Sequence, residues 1–294
     1  MVERPGPRGK FSTAMRVSYG VPSLAALQLA PWSTSKVQCA LRCPLEFHLR
    51  YVDRLHEPEV APDTRLGKAV HGALEAVLRR VPVAEAIAAG RLNLLHDEER
   101  TRFDELAGPI ARFGERIDAF RSRRRVRSEL IEHRLAVTFD LSPTEFVAPN
   151  AFFRGVWDAA FLFDDGVLAV VDHKSGVRRP GADYADQLGG YATLAAAHMG
   201  FVRKLWLGIH FVADAALEWS PPIDMAQVRA EVMPRLLAYI EEAARAVRDR
   251  TPHLSTWCGR CSYRSICPAL RAAAAAAAEL PEAPAELVDD RTGE

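Results

Sequence analysis

One hairpin-like stretch decides the fold that we expect for this chain. Residues 155–176 read GVWDAAFLFDDGVLAVVDHKSG. Two apolar runs, one within 152–163 and one within 167–174, are typical of β-strands. The Asp164-Asp165-Gly166 segment between them is a turn signal. The two strands are therefore expected to pair as neighbours in a sheet.

The rest of the sequence predicts helices and two more strands around this hairpin. Residue periodicity predicts helices over 36–51, 66–81, 82–120, 184–199 and 225–249, and strands over 130–141 and 204–212. The order is helices, three strands, a helix, a strand and a helix. This order predicts an α/β fold in which helices cover an open mixed sheet.

The domain prediction is one folded unit with two irregular ends. We expect a flexible leader over 1–31, a single domain over 32–270 and a low-complexity tail over 271–294. Within the domain, residues 82–128 read as a helical insert and residues 256–270 as a cysteine-bearing segment.

Composition excludes several classes of protein. The 294 residues contain 38 Lys and Arg against 38 Asp and Glu, so the chain is neither histone-like nor an acidic disordered tail. A local basic face for nucleic acid remains compatible with this balance. The sequence offers no long apolar run for a membrane span and no secretory signal, so we expect a cytoplasmic protein without a membrane partner.

The residues with the clearest chemistry are Asp158, Asp172 and Lys174. Asp158 and Asp172 become neighbours across the hairpin, and Lys174 shares a strand face with Asp172. Adjacent carboxylates repel unless a cation lies between them, and their oxygens suit Mg²⁺ or Mn²⁺. A lysine beside such a pair is equipment for phosphodiester hydrolysis. The alternative is a solvated strand edge with an ordinary salt bridge.

Further polar residues could join this group from two helices. His71 offers an imidazole as a metal ligand, although a lone histidine is more often structural. Gln187 and Tyr191 are four residues apart, so they share a helix face. They could contact a scissile phosphate or a metal-bound water, or form an ordinary helix surface.

Five cysteines predict a metal site instead of a disulfide framework. Cys258, Cys261 and Cys267 are clustered, and a site with four thiols needs one more from far away in the sequence. Cys43 is the natural fourth ligand, and Cys39 is the weaker choice. The possible readings are an iron–sulfur cluster, a structural Zn²⁺ ion, or small buried side chains.

Arginines form a basic run before the first predicted strand. Eight arginines against four acids between residues 112 and 134 give a local excess of four positive charges. Such a run can bind phosphates or form a solvated helix face. We expect Arg124 and Arg125 in this run, and Arg178 and Arg179 after Lys174, to contact nucleic acid.

Several motifs together resemble a known nuclease family. They are Leu66-Gly-Lys-Ala-Val-His71, Gly155-x-x-Asp158, Asp172-His-Lys174-Ser-Gly176, Gln187-Leu-x-x-Tyr191, Cys43-Pro44 and Cys258-x-x-Cys261-x5-Cys267-Pro268. Their order over residues 33–268 resembles RecB-like nucleases of the PD-(D/E)XK superfamily. The cysteines resemble the split four-cysteine site of its iron–sulfur members, which include AddB-type nuclease domains and CRISPR-associated exonucleases. Ser33-x-Ser35 resembles the N-terminal signature of the family.

The resemblance implies a fold and a set of roles. The fold would be restriction-endonuclease-like, with the terminal helical segments joined by a four-cysteine metal site. His71, Asp158, Asp172 and the backbone carbonyl of His173 would hold Mg²⁺ or Mn²⁺. Lys174 would be the catalytic lysine, with Gln187 and Tyr191 as accessory residues. Cys43, Cys258, Cys261 and Cys267 would hold a 4Fe-4S cluster. Glu132 would support this group from outside the ligands.

Three functional hypotheses follow. The first is a metal-dependent DNA nuclease, acting as an exonuclease on single strands or ends in repair, recombination or defence. Protein partners from repair, recombination or CRISPR adaptation would accompany it. The second is a catalytically silent DNA-binding or assembly subunit that keeps the nuclease fold as a scaffold. The third is a regulatory protein stabilised by Zn²⁺.

Overall fold

The computed structural model of the chain describes residues 22–57, 62–123, 125–176, 178 and 184–278. In these residues a seven-stranded mixed sheet has the order β2-β1-β3-β4-β5-β6, and β7 pairs with β5. Only the β4–β5 pair is parallel among the described strand pairs. The strands are β1 (Val126–Val137), β2 (Pro143–Thr144), β3 (Phe153–Phe163), β4 (Val167–Lys174), β5 (Lys204–Phe211), β6 (Ala216–Trp219) and β7 (Ile223–Asp224).

Helices precede, connect and follow these strands. The α-helices of the described residues are α1 (Leu24–Gln28), α2 (Thr34–Arg42), α3 (Pro44–Phe47), α4 (Pro62–Leu78), α5 (Val83–Leu92), α6 (Asp97–Arg123), α7 (Ala185–His198), α8 (Met225–Gln227), α9 (Met233–Ala246) and α10 (Pro268–Ala278). A π-helical turn, His48–Val52, continues α3, and a second one, Val228–Val232, joins α8 to α9. Two 3₁₀ turns, Thr256–Arg260 and Arg264–Ile266, precede α10.

Helices pack on both faces of the sheet, and each face has its own apolar core. On one face, side chains such as Leu162 and Val170 share a buried cluster with residues of α2, α7 and α9; we call it the first core. On the other face, Phe161 and Val171 share the second core with residues of α4, α5 and α6. Full burial of each such side chain contributes roughly 1.5–3 kcal/mol to stability. The predicted mixed α/β fold, with a central sheet between helices, is confirmed.

The predicted hairpin is also confirmed. The turn between β3 and β4 contains Gly166 at φ +77°, a left-handed conformation that glycine adopts without a steric cost. The parallel β4–β5 pair requires a crossover connection, and α7 supplies it across the first core. This arrangement brings the C-terminal end of β4 next to the first turns of α7.

The prediction for the first strand was wrong by four residues at each end. Alternating apolar residues up to Phe139 suggested a strand over 130–141, whereas β1 ends at Val137. Asp140 accepts a hydrogen bond from the hydroxyl of Ser142 at 3.0 Å, and it also accepts one from Thr138. These bonds make a turn that leaves Phe139 exposed.

Glu132 interrupts the regular alternation of β1. Its φ of +50° lies in the left-handed region, which costs a residue with a Cβ of the order of 1–3 kcal/mol. The side chains of β3, the strand paired with β1, change sides of the sheet at the same level. Phe153 and Trp157 lie in the first core, whereas Phe161 lies in the second. The alternation of side chains in both β1 and β3 is therefore irregular at the level of Glu132.

The segment after α9 contacts the segment that follows the first π-helical turn. Arg250 forms a two-bonded ion pair with Asp53, with both N–O distances at 2.7 Å. The hydroxyl of Tyr263 donates to the carbonyl oxygen of Leu55 at 3.0 Å, and the Tyr263 side chain is buried. The segment after α9 is thereby held against the loop that follows the π-helical turn His48–Val52.

The predicted leader and tail fall partly outside the described residues. Within the described part of 1–31, α1 forms and buries Ala26, whose carbonyl accepts a hydrogen bond from the Trp32 indole at 2.8 Å. At the other end, α10 extends from Pro268 to Ala278, into the predicted low-complexity tail. Residues 1–21 and 279–294 lie outside the described residues.

Candidate active site

The site lies where β3 and β4 stop pairing. The last paired residues are Ala159 and Val171, and the next residues along the two strands are Asp158 and Asp172. Both carboxylates are buried. Asp158 Oδ2 accepts a hydrogen bond from the backbone N–H of His173 at 2.7 Å. This bond holds the two strand ends together, so the two acids are neighbours as the hairpin predicted.

A closed set of hydrogen bonds fixes Asp172 and Lys174. Lys174 Nζ lies 2.7 Å from Asp172 Oδ2 and donates to Gln187 Oε1 at 2.8 Å. The Gln187 amide donates to Asp172 Oδ1 at 2.6 Å, and the Tyr191 hydroxyl donates to the same oxygen at 2.7 Å. Gln187 and Tyr191 therefore act together from one face of α7, and they orient both the acid and the amine.

Burial and neighbouring charges shift the pKa values of the two aspartates in opposite directions. Burial raises the pKa of Asp172; the Lys174 ammonium opposes this shift, and repulsion from Asp158 adds to it. Burial also acts to raise the pKa of Asp158, but the hydrogen bond and charge of His71 outweigh it and lower the pKa overall. The two acids thus repel each other, and each has its own cationic or potentially cationic neighbour.

Three side chains from three elements form a group that can hold a metal ion: His71 on α4, Glu132 on β1 and Asp158 on β3. Each offers one ligand atom, and these atoms all lie within 4.8 Å of one another. The three residues line a cavity of about 450 Å³, which we call the acidic cavity. The two carboxylate oxygens of this group suit Mg²⁺ or Mn²⁺, and imidazole nitrogen is a common ligand of transition metals.

Glu132 has no compensation for its charge of the kind that Asp172 has. In the part of the chain that the structure describes, no hydrogen bond or ion pair forms on its carboxylate. Burial, and then repulsion from Asp158 and Glu75, raises the pKa of Glu132. A bound divalent cation would relieve this repulsion, so the residues present fit the metal that the sequence predicts.

Sequence reasoning placed Glu132 outside the ligands, and the structure brings its carboxylate beside His71 and Asp158. Glu132 and Asp158 lie between two pairs of opposed residues, Ile131–Ala159 and His133–Trp157. The pairing of β1 with β3 was the available signal. The left-handed backbone at Glu132 had none, because no residue preference predicts glutamate there.

The side chain of His173 is buried and packs against three aromatic rings. Its ring centroid lies 6.1 Å from that of His71 and 5.2 Å from that of Phe113, and its Nδ1 is 3.0 Å from Nδ1 of His210. Burial lowers the pKa of His173 to about 3 and that of His210 to about 4. His173 therefore contributes its backbone to the site, and its imidazole belongs to the packing beneath it.

The cysteines divide into one core residue and a group near the chain ends. Cys39 is buried in the first core, and burial raises its pKa to about 12. Burial also raises the pKa of Cys261, and the nearby thiols of Cys43 and Cys267 raise it further. Cys258 Sγ accepts a hydrogen bond from the backbone N–H of Ser255 at 3.3 Å.

The segments that carry these thiols pack directly on one another. The Arg42 guanidinium lies 4.2 Å from the ring centroid of Trp257. Arg42 directly precedes Cys43 in the chain, and Trp257 directly precedes Cys258. Arg42 also pairs with the buried carboxylate of Glu46 at 2.9 Å. The meeting of the two cysteine segments that the sequence predicted is therefore present in the fold.

Arg178 is tied to neighbouring acids. Its guanidinium forms an ion pair with Glu218 and lies 4.0 Å from Asp214. Its charge is partly neutralised by these partners, which reduces its value as a free phosphate contact. The predicted contact residue Arg179 lies outside the described residues.

The basic run before β1 lies away from the acidic cavity. Arg125 precedes Val126, which pairs with Phe163 at the end of β3. Phe163 is five positions along β3 from Asp158, a span of about 17 Å along a strand. Arg121 in the same run is bound to Glu129 at 2.8 Å. Arg124 lies outside the described residues.

Comparison with known proteins assigns the chain to a family. The family model described as "PD-(D/E)XK nuclease superfamily" matches residues 31–268, which include both strands of the hairpin and the whole site. This chain belongs to the PD-(D/E)XK nuclease superfamily. Such nucleases typically hydrolyse phosphodiester bonds and generally use divalent metals such as Mg²⁺ or Mn²⁺. Membership suggests a metal-dependent nuclease with a nucleic-acid substrate.

The other comparisons add little to this superfamily assignment. "Crystal structure of SSO0001" matches at 17% identity over 68% of this chain and 85% of that chain, with a TM-score of 0.31. No curated protein matches the chain. Among the described residues, no helix has both the length and the apolar character needed to cross a membrane.

Proposed function

We propose that the chain is a metal-dependent DNA nuclease, an exonuclease that acts on single strands or ends. One observation carries this proposal: Gln187 and Tyr191 hold Lys174 against Asp172, directly beside Asp158. A merely solvated strand edge would not bury two carboxylates and then build a closed network around them. The arrangement supports catalysis that needs an oriented acid and an oriented amine.

The metal ligands that we propose are His71, Asp158, Asp172 and the backbone carbonyl of His173, with Glu132 added because its carboxylate lies beside the first two. When bound there, Mg²⁺ or Mn²⁺ would lower the pKa of a coordinated water and neutralise phosphate charge. His71 has its pKa raised overall by Asp158, although burial acts to lower it. Near neutral pH the approach of a cation would therefore favour the neutral imidazole, releasing any proton that it holds.

Lys174 is the proposed catalytic lysine. Its Nζ has one hydrogen bond to Gln187 and an ion pair with Asp172, which leaves capacity for a further acceptor because an ammonium has three protons. We propose that this further acceptor is the attacking water or a phosphate oxygen in the transition state. Gln187 and Tyr191 are positioning residues, since both bind Asp172 and Gln187 also binds Lys174.

The RecB-like subtype and the iron–sulfur cluster belong to the same proposal. Cys43, Cys258, Cys261 and Cys267 would be the ligands, and thiolates are the donors that both Fe–S clusters and Zn²⁺ accept. Among the described residues, no three of the thiols lie within 4.8 Å of one another. We propose the iron–sulfur cluster from the arrangement of the cysteines in the sequence, with one thiol near the start of the domain and three close together near its end.

Substrate and setting complete the proposal. We propose cytoplasmic action on DNA in repair, recombination or defence, with protein partners from repair, recombination or CRISPR adaptation. Arg124, Arg125, Arg178 and Arg179 stay proposed DNA contacts, although Arg178 is engaged by Glu218. The second candidate function, a catalytically silent DNA-binding subunit, is disfavoured by the intact Lys174–Asp172 pair.

End-labelled substrates test the proposed activity and its direction together. Anaerobically purified protein is mixed with Mg²⁺ or Mn²⁺ and with single- or double-stranded DNA labelled at either end. We expect stepwise shortening from one end of the single strand. DNA that is bound but uncut under every metal would favour the silent subunit. A colourless protein that contains zinc after anaerobic purification would favour the zinc-stabilised alternative.

A further inference from the structure

Two arginines on neighbouring strands share one aromatic ring. The guanidinium carbon of Arg154 on β3 lies 5.1 Å from the ring centroid of Phe146, and that of Arg134 on β1 lies 5.6 Å from it. We call these three residues the arginine cluster. Contacts of this kind with an aromatic ring hold a guanidinium in place without neutralising its charge.

The cluster has no acidic partner of its own. In the residues that the structure describes, neither Arg134 nor Arg154 forms an ion pair or a side-chain hydrogen bond. The charge of Arg154 acts on its surroundings, since it helps to lower the pKa of Lys36 after the larger effect of burial. Two unpaired cations on one ring repel each other, and an anion between them would remove that repulsion.

Two members of the arginine cluster share a cavity with residues of the proposed catalytic site. Arg154 and Phe146 line this cavity of about 460 Å³, and Lys174, Gln187 and Tyr191 line it too. We call it the basic cavity. Of the described residues that line it, none is Asp or Glu. The acidic cavity, in contrast, is lined by Glu75, Glu132 and Asp158.

Both cavities are lined in part by residues of β3. Asp158 lines the acidic cavity, and Val156, two residues earlier on the same strand, lines the basic one. A cation and a polyanion would therefore approach the reacting centre from different sides. Ser33 and Ser35, whose hydroxyl oxygens are 3.1 Å apart at the start of α2, add neutral hydrogen-bonding groups to the basic side.

We propose that the arginine cluster binds the backbone of single-stranded DNA next to the scissile phosphate, with Arg134 and Arg154 on phosphates and Phe146 as their positioning residue. This inference rests on the proposed nuclease function. Arg154 and Lys174 line the same cavity, so a strand that reaches both has to be narrow enough to enter it. A single strand meets that requirement more readily than a duplex.

Anisotropy of a labelled oligonucleotide in the absence of divalent metal tests the proposal without cleavage. The probes are a fluorescent thymidine oligonucleotide and a duplex of the same length. Arg134→Gln and Arg154→Gln should each weaken binding of the single strand about 5–20-fold at low salt, and should make the salt slope shallower by about 0.7. Arg91→Gln on α5 removes the same charge from an exposed ion pair with Asp104 and should change neither.

Phe146 has a separate signature. Phe146→Leu should weaken binding while leaving the salt slope unchanged, because both charges remain, and Phe146→Tyr should restore the affinity. Equal affinities and slopes in Arg134→Gln, Arg154→Gln and Arg91→Gln would overturn the proposal. Arginine variants that lose duplex binding but keep single-strand binding would also overturn it, since the proposed occupant is a single strand.

The proposed function can fail separately. Wild-type protein that binds the single strand through this cluster but leaves it uncut with Mg²⁺ or Mn²⁺ would contradict the nuclease and support the cluster. Binding of Mn²⁺ and the thermal midpoint should be unchanged in both arginine variants, which separates loss of a DNA contact from loss of the fold or of the metal.

Discussion

Asp158 on β3 accepts a hydrogen bond from the backbone N–H of His173 on β4, at 2.7 Å, just where the two strands stop pairing. This bond replaces the next bond of the ladder with one between a side chain and the backbone. It fixes the Asp158 carboxylate relative to Asp172 and Lys174, which flank His173 in the sequence. The distance between the two acids is therefore set by the sheet itself.

Loss of the Gln187 amide should misalign the lysine and the acid together. Gln187→Leu removes a donor to Asp172 and an acceptor from Lys174. A lost hydrogen bond to a charged group costs about 1.5–3 kcal/mol, so we expect cleavage to slow about 10–100-fold. Single-turnover cleavage measures the effect, and Gln227→Leu, an exposed glutamine on α8, is the control. Equal rates in the two variants would contradict the positioning role.

Glu132 offers a test in which metal binding and stability separate. Glu132→Gln keeps the shape and removes the charge, so Mn²⁺ should bind about 10-fold or more weakly by calorimetry. Glu132→Gly also relieves the left-handed backbone at φ +50°. Its free energy of unfolding should then lie between no change and a gain of about 1 kcal/mol, while Mn²⁺ still binds weakly. Wild-type Mn²⁺ affinity in both variants would exclude Glu132 from the ligands.

Lys36 should make stability depend on pH on the alkaline side. Burial, and then the charges of Arg154 and Arg54, lowers the pKa of Lys36 to about 8. The ammonium donates to the carbonyl of Leu29 and lies 5.2 Å from the ring centroid of Trp32. Between about pH 8 and the usual lysine pKa of about 10.4, the unfolded state binds more protons than the folded state. The contribution of Lys36 to the free energy of unfolding therefore rises with pH across this window.

Urea unfolding at several pH values measures that contribution as a difference between proteins. Relative to Lys36→Met, the wild type should gain about 1–3 kcal/mol between pH 8 and 10.4, reduced by solvent screening of a half-buried group. Lys204→Met, at the exposed start of β5, should follow the wild-type curve. Parallel curves for wild type and Lys36→Met would show that the pKa of Lys36 is not lowered.

The cysteines can be tested by colour and iron content. Wild-type protein purified without oxygen should be brown, and Cys261→Ala should lose both colour and iron and unfold at a lower temperature. Cys39→Ala is the matched control, because Cys39 lies in the first core and should not bind the cluster. Cys39→Ala that loses iron, together with Cys43→Ala that keeps it, would reverse our choice of fourth ligand.

Much of this architecture could be predicted because local signals agreed with each other. The two strands of the hairpin were placed to within one residue, since apolar runs and an Asp-Asp-Gly turn all favour the same pairing. Helix α7 was equally accessible, because Gln187 and Tyr191 occur at helical spacing. The short strands β2, β6 and β7 were missed, because two to four residues are too few to show alternation.

The parts of the site that the sequence could not supply depend on tertiary contacts. Glu132 reaches the acidic cavity through a backbone conformation that its residue type does not favour. Phe146 lies in a loop, and only the pairing of β1 with β3 brings Arg134 and Arg154 to its ring. Arg178 looked like a free cation beside Lys174 until the fold placed Glu218 against it.

Cleavage of labelled single-stranded DNA by wild type, Lys174→Ala and Asp158→Asn tests the central claim most directly. With Mn²⁺, the wild type should degrade the strand. Both variants should lose activity by about 100-fold or more, because each removes a group from the reacting centre, and should keep the wild-type circular dichroism spectrum. Lys204→Ala, a control variant at the exposed start of β5, should cut at the wild-type rate. Undiminished cleavage by Lys174→Ala and Asp158→Asn would contradict the assignment of this site as the catalytic centre.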